Sequence, residues 1–317
     1  MAIDVFHNWR NLAPEARGAA VAYGNFDGIH LGHQRVIADA AEAAYQLGAP
    51  LGVVTLEPHP ITYFNPGGPP FRLTKPDQMV RAVAGLAVER LYLLPFGQPM
   101  AQLSDRAFVE EILVKGLGVR HVAVGFDVTF GKDRSGDPAA MIRYGEEFGF
   151  SVSVAEAVVA ENGAKISSSA IRAELHAGRP EAAARLLGRP FAIEGVVEKG
   201  QQLGRKLGFP TANVPLGEYV APKFGVYATR TRLRDGRHLP GVANIGVNPT
   251  TGLVEPRLEV WIFDFDEDIY GEVIETDLIA FLRPEETFVD AAGGFDIAAM
   301  VRQVHRDADQ ARGRLGV

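Results

Sequence analysis

The chain has 317 residues, 47% hydrophobic and 22% charged, with a formal net charge of −7 and no cysteine. Such a chain favours two domains with their own cores over disorder, and the absence of cysteine excludes disulfides, thiolate zinc sites and a cysteine nucleophile. The negative charge argues against long nucleic acids, and the lack of a run of about 18 apolar residues or of an export signal predicts a cytoplasmic protein with no membrane partner.

In chain order, "AAVAYGNF" reads as a buried strand, "HQRVIADAAEAAYQLG" as an alanine-rich helix ending at Gly48, and "APLGVVTLEP" as a second strand. "DQMVRAVAGLA" and "DRAFVEEILVKGLG" read as helices, "VERLYLLPF" and "VRHVAVGF" as strands. Strands alternating with helices predict a parallel sheet with helices on both faces. From about Arg189 the pattern changes to short β-rich runs between Gly, Pro and charged turns: "FAIEGVVEKG", "GVYATRTRL", "LPGVANIGV", "RLEVWIFDF" and "EVIETDLIAFL". These suit an antiparallel barrel or sandwich, closed by a helix in "FDIAAMVRQVHRDADQARGRL". "HAGRPEAAARLLGRP" is read as the last helix of the first domain plus a connector, giving domains 1–188 and 189–317.

The stretch "GNFDGIHLGHQ" puts His30 and His33 where a strand runs into a helix. Free N–H groups and the helix dipole make that point an anion site, and two imidazoles at i and i+3 can both donate to phosphate oxygens. A two-histidine metal site would need a third ligand, which the neighbouring sequence lacks. No G-x-x-x-x-G-K-[ST] occurs, so a P-loop kinase is excluded. In "KISSSAIRAELHAG" one of Ser167, Ser168 or Ser169 should cap a helix with Arg172 in its first turn, where a bound anion would offset a cation placed against the macrodipole.

In "GRKLGFPTANV", Thr211 and Asn213 are two residues apart on an expected strand and offer the oxygen ligands that Mg²⁺ takes, with Arg205 and Lys206 nearby. On "RLEVWIFDF", alternation places Glu259 on a face with Trp261, Phe263 and Phe265, where desolvation should raise its pKa toward that of a general base. "DFDEDIYGEVIE" sets Asp264, Asp266, Asp268 and Glu275 at EF-hand positions, but Ile269 stands where that loop requires glycine, so an acidic hairpin turn is expected instead.

With these motifs in place, the first half resembles the nucleotidyltransferases that carry a histidine-x-glycine-histidine motif: "GNFDGIHLGH", "TLEPHP", "GFDVTFGKDRSG" and "ISSSAIR" match the subfamily that adenylylates FMN. The second half resembles riboflavin kinase through "GFPTAN", "GVYA", "NIGVNPT", "LEVWIFDFDEDIYG" and "FLRPEETF". Together they resemble the bacterial bifunctional family, which implies a Rossmann-like α/β domain followed by a six-stranded antiparallel β-barrel with a closing helix. It implies riboflavin, FMN and ATP as small-molecule substrates, FAD as product and Mg²⁺ as cofactor, and leaves a homo-oligomer open.

The resemblance also implies residue roles. His30, His33 and Arg172 would be catalytic in adenylyl transfer and Glu259 in phosphorylation. Gly24, Asn25, Phe26, Asp27, Gly32, Asp127 and Ser168 would bind nucleotide in the first half, and Gly204, Lys206, Gly208 and Pro210 in the second. Arg134, Tyr227 and Arg283 would contact flavin, and Thr211 and Asn213 the metal. The chain departs from the family at Asn248, Trp261 and Thr287, where Arg, His and Lys are common. Those departures keep open a monofunctional FAD synthetase with a kinase-impaired flavin-binding barrel. A non-catalytic flavin sensor, and a transferase for another phosphate ester, are the further alternatives.

Overall fold

The computed structural model describes residues 3–161, 163–200, 203–247, 255–289 and 294–317, without the side chains of Leu203 and Lys206. In the first half lie the strands β1 (Asp4–Phe6), β2 (Ala20–Tyr23), β3 (Leu51–Glu57), β4 (Arg90–Pro95), β5 (His121–Gly125) and β6 (Ser151–Ala155). All pair in parallel, in the order β1-β4-β3-β2-β5-β6. Because successive side chains of a strand point to opposite faces, the sheet divides between two cores. Val21, Tyr23, Val54 and Leu56 enter one cluster, and Ala20, Ala22, Leu51 and Val53 enter the other.

The helices are α1 (Leu31–Leu47), α2 (Pro60–Phe64), α3 (Pro76–Ala84), α4 (Gln98–Ala101), α5 (Asp105–Phe108) and α6 (Pro138–Phe148). The expected helix after α5 continues as a π-helical run, Val109–Leu117. α1 ends as its sequence predicts, on Gly48 in the left-handed conformation. β2 is followed by β3 and β4 on one side, while β5 and β6 add on the other. The strand order therefore reverses between β2 and β5, and in open α/β sheets that crevice beyond the carboxyl ends is where ligands bind.

The second half holds α7 (Ser168–His176), α8 (Pro180–Leu187), α9 (Leu203–Lys206), α10 (Ile297–Leu315) and the strands β7 (Phe191–Val196), β8 (Ala212–Pro215), β9 (Gly225–Arg232), β10 (His238–Gly246), β11 (Arg257–Ile262) and β12 (Val273–Pro284). They form an antiparallel sheet in the order β7-β12-β9-β10-β11-β8. Past the end of β7, Glu198 N–H donates to the Asn213 carbonyl at 2.8 Å, joining the two edge strands into a nearly closed barrel. Ile193, Val214, Ala243, Leu258, Val260 and Leu278 fill its interior. Outside, Val226, Ala228, Val242 and Phe263 pack with Ala308, Ala311 and Leu315 of α10.

Packing divides the chain into two compact units. One runs to Pro69 and resumes over Pro76–Ser167; the other takes Pro70–Lys75 and everything from Ser168 onward. α7 and α8, expected from the sequence to end the first domain, lie in the second unit, because Ile171, Leu175, Ala183 and Leu187 bury in the same cluster as Phe191 and Leu216. The acidic stretch after β11 is not a hairpin turn: β11 and β12 are not neighbours in the sheet, so it is a crossing loop.

Candidate active sites

In the first unit the chain leaves β2 at Tyr23 and enters α1 through the glycine-rich loop. His30 is the N-cap, and its Nδ1 accepts from the His33 backbone N–H at 3.2 Å. That bond holds the His30 ring against the first turn, where the His33 ring stacks on it with centroids 3.6 Å apart and planes at 18°. Phe26 meets His33 edge-on at 5.1 Å. Gly32 leaves room for this stack: a Cβ there would lie 3.1 Å from both Cε1 and Nδ1 of His30, so the ring would have to give by a few tenths of an ångström.

Burial, with the charge of His30 as a second cause, holds the His33 imidazole well below its ordinary range. Nδ1 of His33 is buried with no hydrogen-bond partner among the described residues. A buried orphan of this kind calls for an explanation, and a ligand supplies one. The paired rings thus offer hydrogen-bond donors at a helix N-terminus, at the point where the strand order reverses.

Of the other expected nucleotide residues, Gly24 is tied to β3 by its N–H on the Val54 carbonyl, Phe26 and Asp27 are buried in the loop, and Asn25 is exposed. Asp127 lies just past β5 and forms an ion pair with Lys165, whose ammonium also sits 4.6 Å from the Phe126 ring centroid. Beside this loop opens a cavity of about 440 Å³, walled by Tyr23, Leu56, Ile61, Phe64, Phe96, Met100, Phe108 and Phe130, with Asn25, Asn65, Thr129 and Arg134 as polar lining. Its size and its mainly aromatic lining suit an aromatic ligand with a polar edge. Arg134 reaches it from a 3₁₀ turn in which both Asp133 and Arg134 have positive φ.

Ser168 and Arg172 belong to the second unit. α7 begins at Ser168, which makes Arg172 its fifth residue, just beyond the first turn. Arg172 Nε donates to the Phe71 carbonyl at 2.7 Å, with its guanidinium 5.2 Å from the Phe71 ring centroid.

On the barrel, strand register assembles the site. Glu259 is the direct partner of Asn213 on β8 and of Asn244 on β10. One step along the same face, Trp261 is the partner of Val242, which is the partner of Ala228. A polar row and an apolar row therefore run side by side under α10. Burial pushes the Glu259 carboxyl above its ordinary range, opposed by Arg257 and reinforced by Glu285.

A cavity of about 230 Å³ opens on this face, lined by Thr211, Asn244, Glu259, Trp261, Val226, Val242, Phe209 and residues of α10. A second, of about 140 Å³, is lined by Arg205, Pro210, Thr211, Ala212, Phe265 and Tyr270. Thr211 borders both. Asn213 is 8% exposed, and its amide abuts Gly200, where a Cβ would lie 2.8 Å from Nδ2. Thr211, which borders both cavities, and Asn213, two residues on, offer oxygen ligands, a set that fits Mg²⁺ because that ion takes few protein ligands and completes its shell with phosphate and water. No cluster of three or more His, Asp or Glu able to hold a metal occurs among the described residues.

The structure places three further residues of the sequence reading as follows. Tyr227, expected at flavin, points into the barrel interior, because alternation on β9 sends Val226 and Ala228 to the cavity face; its hydroxyl donates to the Lys223 carbonyl. Arg283, also expected at flavin, lines the cavity but is engaged by Asp307 of α10 through Nε at 2.9 Å and Nη2 at 2.8 Å, and Gln303 donates to the same carboxylate. Phe265 leaves the face of Glu259, since β11 ends at Ile262, and packs with the interior cluster.

Gly204 lies in α9, where a Cβ would come within 2.5 Å of the Phe209 carbonyl oxygen, and Gly208 takes a φ of 92°. Lys206 is described by its backbone alone, and Asn248 lies outside the described residues. The Asp307 and Gln303 clamp was not anticipated, because nothing local in α10 marks which arginine it meets.

Comparison with known proteins covers both halves. A family model described as FAD synthetase matches residues 12–170, and one described as riboflavin kinase matches residues 187–315. The bifunctional riboflavin kinase/FMN adenylyltransferase of Pseudomonas fluorescens is 44% identical over 88% of this chain and 89% of its own. The protein of the same name in Escherichia coli K12 is 37% identical over 98% and 96%. A crystal structure of a Streptococcus pneumoniae protein described as a macrolide-efflux protein superposes with a TM-score of 0.84 at 30% identity, covering 98% of this chain and 99% of that one. Among the described residues no helix is long and apolar enough to cross a membrane.

Proposed function

Because the chain belongs to the bifunctional riboflavin kinase/FMN adenylyltransferase family, we propose that it converts riboflavin to FMN on the barrel and FMN to FAD beside the parallel sheet. The observation that carries this reading is the presence of two separate sites of opposite character: a desolvated carboxylate in one, stacked imidazoles at a helix N-terminus in the other. In this assignment the first step belongs to the unit that carries the barrel and the second to the unit that carries the parallel sheet.

The two reactions need different groups. In the first, the neutral terminal hydroxyl of riboflavin attacks the γ-phosphorus of ATP; the new O–P bond forms as the β–γ bridge breaks, and ADP leaves. The proton goes to Glu259, whose raised pKa suits it to accept. Flavin occupies the larger barrel cavity and ATP the smaller; Thr211, which borders both, and Asn213 would hold Mg²⁺. When bound, that ion neutralises phosphate charge.

In the second step a phosphate oxygen of FMN attacks the α-phosphorus of another ATP and pyrophosphate leaves. With a second pKa of ~6 that phosphate is already an anion at neutral pH, so no base is required. Alignment and charge stabilisation suffice. His33 enters neutral, given its depressed pKa, and with His30 donates hydrogen bonds to the phosphates. Asn25 and Asp127 orient nucleotide, and the aromatic cavity with Arg134 receives the FMN ring.

The test is a chromatographic time course with riboflavin, ATP and Mg²⁺, beside a parallel reaction fed FMN. FMN followed by FAD in the first tube is the expected result. FAD from the FMN tube alone would return the barrel to a flavin-binding module without kinase chemistry.

A further inference from the structure

Two adjacent rows cross the barrel face under α10. Asn213, Glu259 and Asn244 make the polar one; Trp261, Val242 and Ala228 make the apolar one. Two residues of strand separate them, a distance of ~7 Å. That is the length of an extended ribityl chain from ring nitrogen to terminal oxygen. A riboflavin whose terminal hydroxyl meets Glu259 therefore brings its ring to the level of Trp261.

The cavity reaches that level: Trp261, Phe209 and Val242 line it together with Glu259. The indole is held in place by other rings. Phe263 meets it at 90° and 5.6 Å, His305 at 84° and 6.1 Å, and Phe209 at 49° and 5.9 Å. Among the described residues no ring lies parallel to it. It is a braced aromatic plane on the wall of a cavity, with parallel stacking unused.

We propose that Trp261 is the platform on which the isoalloxazine ring stacks during riboflavin phosphorylation, and that it sets the affinity of the barrel for flavin. This rests on the kinase reading of that cavity. Trp261 acts as a positioning residue: the stack fixes the ring, and the ribityl chain then delivers its end to Glu259.

The chain has two tryptophans, Trp9 and Trp261, so flavin-dependent quenching of indole fluorescence is separable by one substitution. Riboflavin is titrated into wild type, Trp261→Phe and Trp261→Ala, and KM and kcat for FMN formation are measured on each. The expected result is loss in Trp261→Phe of a quenching component present in wild type. In Trp261→Ala, KM for riboflavin rises about tenfold or more while KM for ATP holds, as removal of a stacking partner implies, and phenylalanine restores most of the loss. Equal quenching in wild type and Trp261→Phe, or a riboflavin KM in Trp261→Ala close to wild type, overturns the platform. If thermal unfolding shows the alanine protein misfolded, the phenylalanine titration decides. A wild-type protein that forms no FMN from riboflavin overturns the kinase reading instead.

Discussion

Glu259 and Asn213 stand directly opposite each other across β11 and β8, so a carboxylate whose pKa is raised by burial, on the wall of the barrel cavity, has a buried amide as its cross-strand neighbour. The stacked pair His30 and His33 lies in the other compact unit. Each step therefore has its own group to lose. Glu259→Gln is expected to lower FMN formation on the order of 10²–10⁴-fold, the usual contribution of a general base, while FAD formation from supplied FMN survives. His33→Ala is expected to do the reverse, with a loss on the order of 10²–10³-fold in adenylyl transfer. Separate assays with riboflavin and with FMN check both; a common loss in a folded variant would contradict two sites.

The pH profile of FMN formation should carry the Glu259 signature. Only the ionised carboxylate accepts a proton, so kcat falls as pH falls through the raised pKa, and the acid limb lies above the ordinary glutamate value of ~4.3. For stability the sign is opposite. A raised carboxyl contributes stability below its unfolded value and loses it as pH rises through the folded one. Glu259→Gln should accordingly melt at a higher temperature than wild type at pH 7, with the difference vanishing toward pH 4.

Gly32→Ala is a sharp probe of the histidine stack. The new Cβ would come 3.1 Å from two atoms of the His30 ring, so the imidazole must shift by a few tenths of an ångström. Adenylyl transfer should drop roughly tenfold, since small misplacements of catalytic groups are costly, with FMN formation intact. Retained adenylyl transfer in this variant would show that the ring position matters little.

Asp307→Ala tests how α10 is held over the cavity. It leaves Arg283 without its bidentate partner where α10 packs on the sheet. Breaking such a pair costs ~3 kcal/mol, so chemical denaturation should show a weakened barrel transition, and KM for riboflavin should rise because the helix lines the cavity proposed for flavin. FMN adenylylation serves as the internal control.

What the sequence determined by itself was whatever depends on residues close along the chain. His30 and His33 are legible because three residues return to the same helical face, and the capping of α1 needs only its own ends. The parallel sheet and the barrel are legible because alternation and periodicity are local patterns. Position relative to a distant strand or helix is not. Nothing in "GVYATRTRL" says that Tyr227 faces inward and Val226 outward, because that depends on which face α10 covers. Arg283 looked available until Asp307 and Gln303 closed on it from another element. α7 and α8 read as the end of one domain and packed with the other, since an amphipathic helix states that it has an apolar face without stating what will bury it. Likewise Glu259 could be named as a base from its own strand, but its pairing with Asn213 and Asn244 required the register of three strands, which hydrogen bonding between distant segments alone decides.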